Sequence, residues 1–338
     1  MGVDVYFFLD AGISVEEALL GTTWEVPSTS CTVYLPRRML GSIEEAGIDR
    51  LLRGPDLAGA EVELERSERH WQTDGDDDAW LIMWGRVSGW HPKDDRILDA
   101  YIPRLVAVAR WEGGDDDVER LAFAEHTTDA LQVWFVALKD WLEVVSGKVL
   151  GVRHETASSH LMPTNPLQID SSGRAGWFAR PEHGDIHTIY REPTMSLADW
   201  QAATLYVAAG AQVPLAHDLL REARHAQGHG DGRRAVLDAA SACEVALSES
   251  IRERVHGSPD DAIDRQFRRM SGVVELYDFQ VLAVRPIAAV SHGRLAGDLA
   301  GVRNRVAHAG HRPTKTAVKE AIAVATALVA EVAPLPQP

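Results

Sequence analysis

The chain has 338 residues, 45% of them hydrophobic and 25% charged, which is enough to bury two ordinary cores at ~150 residues each. Its 34 Lys and Arg against 50 Asp and Glu give a net charge of −16, an average that argues against wrapping nucleic acid or lying on anionic lipid. Cys31 and Cys243 are the two cysteines, too few for a disulfide framework or a thiolate zinc site, so a reducing compartment is expected.

The opening Met-Gly-Val-Asp-Val-Tyr-Phe-Phe-Leu-Asp has no basic leader, and its apolar run is too short and too acid-flanked for a signal peptide or a membrane span. Tyr6 stands where a myristoylation signal needs Ser or Thr. A cytoplasmic protein without a membrane partner is the expectation.

Short apolar runs bounded by turn residues predict strands over 3–9, 31–35, 60–64, 80–87, 97–111 and 120–124. Gly/Asp clusters at 74–78 and 113–117 read as solvated hairpin tips. The first is not a calcium loop, because Ala79 and Gly85 occupy the positions where that loop needs Gly and Glu. Leu131, Trp134, Phe135, Leu138 and Leu142 recur at helical spacing and predict a helix over 128–145. The Pro- and Gly-rich stretch 151–195 reads as irregular or as short strands.

From Ser196 the period is helical. Helices are predicted over 196–210, opened by a Ser196/Asp199 capping box, then over 214–228, 233–255, 260–270, 273–290 with a break near Pro286, 295–308 and 316–332. Val236, Ala240, Cys243, Leu247 and Ile251 make one apolar stripe on the longest of these. Charge and tryptophan divide at the same place: residues 1–213 hold 18 Lys and Arg against 35 Asp and Glu, residues 214–338 hold 16 against 15, and all ten Trp precede residue 201. The expected fold is therefore α+β, with an acidic, β-rich domain carrying one helix over 1–195 and an all-α bundle over 196–338.

The segment Leu-Ala-Gly-Val-Arg-Asn-Arg-Val-Ala-His-Ala-Gly at 299–310 contains Arg303-Asn304-x-x-x-His308. On a helix, Asn304 and His308 share a face at i,i+4, and the long Arg303 side chain can swing toward them. From 285 to 319 there are seven Lys and Arg against Asp298 alone, a net of +6, with His292, His308 and His311 among them.

The Arg-Asn-x-x-x-His motif, ahead of a final Ala/Val-rich helix, resembles the HEPN superfamily of prokaryotic ribonucleases and RNA-binding domains over roughly 214–332, or 196–332 with the first helix. Glu244 beside the apolar stripe, and the Arg-Arg-Ala-Val-Leu-Asp-Ala-Ala that opens that helix at Arg233, add to the likeness. The resemblance implies a metal-independent endoribonuclease of anti-phage or stress-response type, working as a homodimer through the helical domain without a cofactor. Arg303, Asn304 and His308 are then the catalytic residues and Glu244 a supporting one. Arg305, His311, Arg312 and Lys315 are RNA-binding candidates, and no residue is a metal ligand. The acidic N-terminal domain is expected to serve as a sensor, or as a cover for the basic site that meets a phage trigger or a neutralising partner.

Chemistry points the same way. RNA cleavage without a metal needs a proton taken from the 2′-hydroxyl, a proton given to the 5′-oxygen, and stabilisation of charge on the phosphoryl oxygens. An ordinary imidazole titrates near 6.5 and serves the first two needs; a guanidinium serves the third. One His per chain leaves a proton transfer unfilled, which a two-fold dimer supplies. The alternatives are a non-catalytic HEPN-like module that binds RNA or protein, and plain dipole compensation by Arg303 and His308 at a helix C-terminus.

Other patterns carry less. His183…His187 and His225…His229 have metal-like spacing but no third ligand. Ser158-Ser159-His160 lacks nucleophile-elbow glycines, and Gly228-x-Gly-x-Gly232 follows a helix rather than a strand.

Overall fold

The computed structural model describes residues 3–27, 29–38, 52–53, 86–91, 96–113, 117–150, 167–169, 175–177, 193–254, 270 and 272–337. By spatial clustering the chain forms two units, Met1–Leu142 with Arg153–Gly210, and Glu143–Val152 with Ala211–Pro338. Sheet and helix are both present, an α+β composition.

In the first unit, β1 (Val3–Val15) is the central strand. Val5, Phe7, Leu9, Ala11, Ile13 and Val15 are all buried, one face of a two-residue period, and Tyr6 and Ser14 are buried from the other face. It pairs antiparallel with β7 (Arg96–Trp111) from Val3↔Trp111 to Val15↔Ala100, with a register shift between Asp10 and Ile13. Gly12 takes φ 56° there, a left-handed conformation that glycine adopts without steric cost. Between them lie β2 (Thr23–Val26), β3 (Cys31–Tyr34), the two-residue β4 (Arg37–Arg38) and β5 (Leu52–Arg53), and β6 (Arg86–His91). Beyond β7 come β8 (Leu167–Ile169), β9 (Ala175–Trp177) and β10 (Thr194–Met195). The main sheet runs β2-β3-β7-β1-β8-β9, with β6 on β7 and β10 parallel to β1, while β4 and β5 pair separately.

The strand expected over 120–124 is helical: α1 runs from Asp117 to Ser146. Leu121, Ala122 and Ala124 are good helix formers, and Ala124, Thr127, Leu131 and Trp134 are buried at helical spacing, so Ala124 extends the apolar face predicted further on while Leu121 is exposed. Trp111 on β7 meets Phe123 of α1 at 5.1 Å. The strand expected over 60–64, most of that over 80–87, the 74–78 cluster and the helix expected over 260–270 lie outside the described residues.

Helix α2 (Leu197–Ala208) opens with the expected capping box: Ser196 Oγ accepts from Asp199 N–H at 3.1 Å, and Asp199 accepts from Ser196 N–H at 3.2 Å. It groups with the first unit, one helix away from a division drawn at 195/196. Trp141 stacks on Tyr206 at 4.0 Å and Trp24 lies 6.3 Å from Trp200, contacts that explain the grouping.

The described elements of the second unit are helical: α3 (Leu215–Gly228), α4 (Gly232–Arg254), α5 (Val273–Ala283), α6 (Gly301–Ala309) and α7 (Lys315–Val332). The last residues of α1 also belong here. A short turn, His292–Arg294, and a π-helical stretch, Leu295–Ala300, run without interruption into α6. The stripe of α4 is buried together with Val302 and Val306 of α6 and with Val318, Ala321, Ile322, Ala325, Leu328 and Val329 of α7. Alanine at many of these positions lets helix axes approach closely. Among the described residues, no helix is long and apolar enough to cross a membrane.

Candidate functional site

The helix that carries the motif is pinned on one side and open on the other. Val302 and Val306 are buried; Asn304 and His308, one turn apart, face solvent, and Arg303 is half-buried between the two sides. Arg303 Nη1 donates to Asn304 Oδ1 at 3.2 Å. This bond fixes the guanidinium beside the amide and leaves its other donors available. Gly310, at φ 63°, ends the helix, and the N–H groups of Gly310 and His311 both donate to the Arg305 carbonyl.

The π-helical stretch ahead of α6 includes a bond from Gly301 N–H to Ala296 O, five residues back. Such insertions re-aim the residues that follow and recur at functional sites. A Cβ on Gly301 would stand 3.0 Å from Ala296 O, so the residue suits this backbone.

Arg305, His311, Arg312 and Lys315 are all exposed. Of the seven cations between 285 and 319, Arg294 is ion-paired to Asp298 and Glu320, and Arg285 donates to the Glu331 carbonyl. Among the described residues, no carboxylate lies within ion-pair distance of Arg303, Arg305, Arg312, Lys315 or Lys319, in a chain that holds 50 acids. Glu244 is half-buried on α4, where its Oε1 faces Gly272, 3.7 Å from where a Cβ on that glycine would sit. It makes no hydrogen bond or ion pair with Arg303, Asn304 or His308.

A buried polar cluster in the same unit was not singled out by the sequence. Glu143 Oε2 accepts from His225 Nε2 at 2.8 Å and from Arg221 Nη1 at 3.3 Å, and its Oε1 accepts from Leu150 N–H at 2.8 Å. Arg221 also donates to Asp218 at 2.8 and 2.9 Å. His225 drew notice only for its spacing from His229. The structure gives that pair another use: His225 serves Glu143, and His229 Nδ1 donates to the His225 carbonyl at 2.8 Å. Nearby, burial holds the Arg224 guanidinium below its ordinary value, with the Glu143 charge opposing the shift.

Among the described residues no group of three or more His, Cys, Asp or Glu is placed to hold a metal ion. His183, His187, Ser158 and His160 lie outside the described residues. Compared with known proteins, the chain matches no family model, no curated protein and no solved structure.

Proposed function

We propose that the helical C-terminal part of this chain is an all-α, HEPN-type bundle acting as a metal-independent endoribonuclease, in the cytoplasm and in anti-phage defence or a related stress response. The observation that supports it most is the open face of α6, which carries Arg303, Asn304 and His308 and where Arg303 and Arg305, like Arg312, Lys315 and Lys319 after it, have no carboxylate within ion-pair distance among the described residues. In a two-fold homodimer, one His308 takes the proton from the 2′-hydroxyl, whose oxygen then attacks phosphorus. The bond from phosphorus to the 5′-oxygen breaks, and the partner's His308 protonates the leaving oxygen. Arg303 offers paired donors to the charged phosphoryl oxygens, and Asn304 orients the guanidinium through the 3.2 Å bond. DNA is refused because it lacks the 2′-hydroxyl. The acidic N-terminal region is the sensor or restraint, engaged by a phage trigger or a neutralising partner.

The position of His308 in the last turn of α6 favours a second reading, a non-catalytic RNA- or protein-binding dimerisation module in which the imidazole offsets the helix dipole. The test is incubation of full-length protein and His308→Ala with total RNA in EDTA. The ribonuclease reading expects cleavage by the wild type and a loss of about 10²–10⁴-fold in the variant. Cleavage that persists in the variant contradicts the assignment, and absence of cleavage by the wild type, also in infected cells, favours the binding module.

A further inference from the structure

The loop that opens α4 lies against the start of α7, a neighbourhood that sequence spacing does not announce. A Cβ on Gly232 would stand 2.8 Å from Val318 Cγ2 and 3.4 Å from Pro313 Cγ, so the backbone at 232 approaches α7 as closely as glycine permits. Arg233, the next residue, is exposed, and its side chain has no ion pair or hydrogen bond among the described residues. This close approach brings the residue before Arg233 against Pro313 and Val318, the chain neighbours of Arg312 and Lys319. Carboxylates are near at hand but engaged elsewhere: Asp231 caps α4 by accepting from Arg234 N–H at 3.0 Å, and Glu222 and Asp238 both bind the Arg234 guanidinium. Lys315 and Lys319, one turn apart on the exposed side of α7, repel one another with no acid set between them. Arg233, Arg312, Lys315 and Lys319 are all exposed and are carried by two segments, distant in sequence, that the Gly232 contact joins, charged against the sign of the whole chain.

We propose that this surface tracks the phosphates of single-stranded RNA, carrying the strand from the open face of α6 toward the start of α4. A single strand fits better than a duplex, because in-line attack by a 2′-hydroxyl needs a sugar-phosphate free to leave A-form geometry. The position of the surface beside His308 rests on the ribonuclease reading, but its claim concerns binding. It is measured by titrating mixed-sequence single-stranded RNA into full-length protein in EDTA between ~50 and ~200 mM salt, with His308→Ala as parent to prevent cleavage. Arg233→Gln with Lys319→Gln should lower the slope of log affinity against log salt by about 1.4, or about 0.7 per lost phosphate contact. Over that fourfold range, the parent should then lose about sevenfold more affinity than the double variant. Arg234→Gln, which removes a paired cation from the same loop, should leave the slope unchanged, and matched thermal melts establish that all three fold. An unaltered slope in the double variant, an equal change in Arg234→Gln, or tighter binding of duplex than of single-stranded RNA overturns the proposal. A changed slope in a protein whose wild type never cleaves RNA supports the surface and overturns only the ribonuclease reading.

Discussion

Glu143 brings a negative charge into the interior of the second unit, where Arg221, His225 and the Leu150 N–H meet it. Removing one member of such a cluster leaves the others desolvated and unmatched. Glu143→Ala should therefore cost about 3 kcal/mol, read as a lower urea midpoint. His217 and Glu331 give the same unit its acid sensitivity. His217 donates from Nε2 to the Ala333 carbonyl at 2.8 Å, yet burial outweighs that bond and holds the imidazole below its ordinary 6.5. The unfolded chain therefore takes up this proton more readily, and stability falls as pH drops below 6.5. The Glu331 carboxylate accepts from Ala288 and Ala289 N–H, which hold it below its ordinary 4.5. Its contribution is complete above 4.5 and disappears as pH falls through the lower folded value. His217→Gln should flatten stability against pH just below 6.5, and Glu331→Gln should flatten it below 4.5, by urea unfolding across that range. Little of this was legible in the sequence: Glu143 lies 82 residues from His225, and no spacing rule joins them.

The elements most legible in the sequence were those with a long, unbroken period. α4 and α7 fall where their apolar stripes put them, because burying such a stripe is what stabilises a helix in water, and α3 falls between Pro214 and Gly228, which mark its start and end. The expectation at 120–124 went the other way because five residues have no period of their own; Ala124 alone of them is buried, and α1 begins eleven residues before the predicted helix. The stretch ahead of α6 was read as ordinary α-helix; its π-helical turn leaves no mark in a pattern of apolar spacing. Two glycines in this region test it. Gly297→Ala meets no atom within 4 Å, so reduced chain entropy should stabilise it by about 0.5–1 kcal/mol. Gly301→Ala places a Cβ 3.0 Å from Ala296 O, so it should gain nothing or lose stability in the same thermal melts and should weaken any activity that depends on the aim of His308.

Across the whole molecule, the charge of −16 is a poor guide to partners, because like charges are not spread evenly. The excess of acid lies in the first 213 residues, and Arg303, Arg305, Arg312, Lys315 and Lys319 have no carboxylate partner among the described residues. That Asn304 and His308 share one exposed face was legible because it needs only helical periodicity. Arg233 joining the same surface depends on Gly232 meeting Pro313 and Val318, a tertiary contact that linear spacing does not contain. The proposed metal-free cleavage of RNA at this face is tested most directly by the chemistry of the ends produced from total RNA in EDTA. Attack by the 2′-hydroxyl predicts fragments ending in 2′,3′-cyclic phosphate and beginning with 5′-hydroxyl, reduced about 10²–10⁴-fold with His308→Ala and strongly diminished with Arg303→Ala. Fragments carrying 5′-phosphate, or fragments produced undiminished by either variant, contradict it.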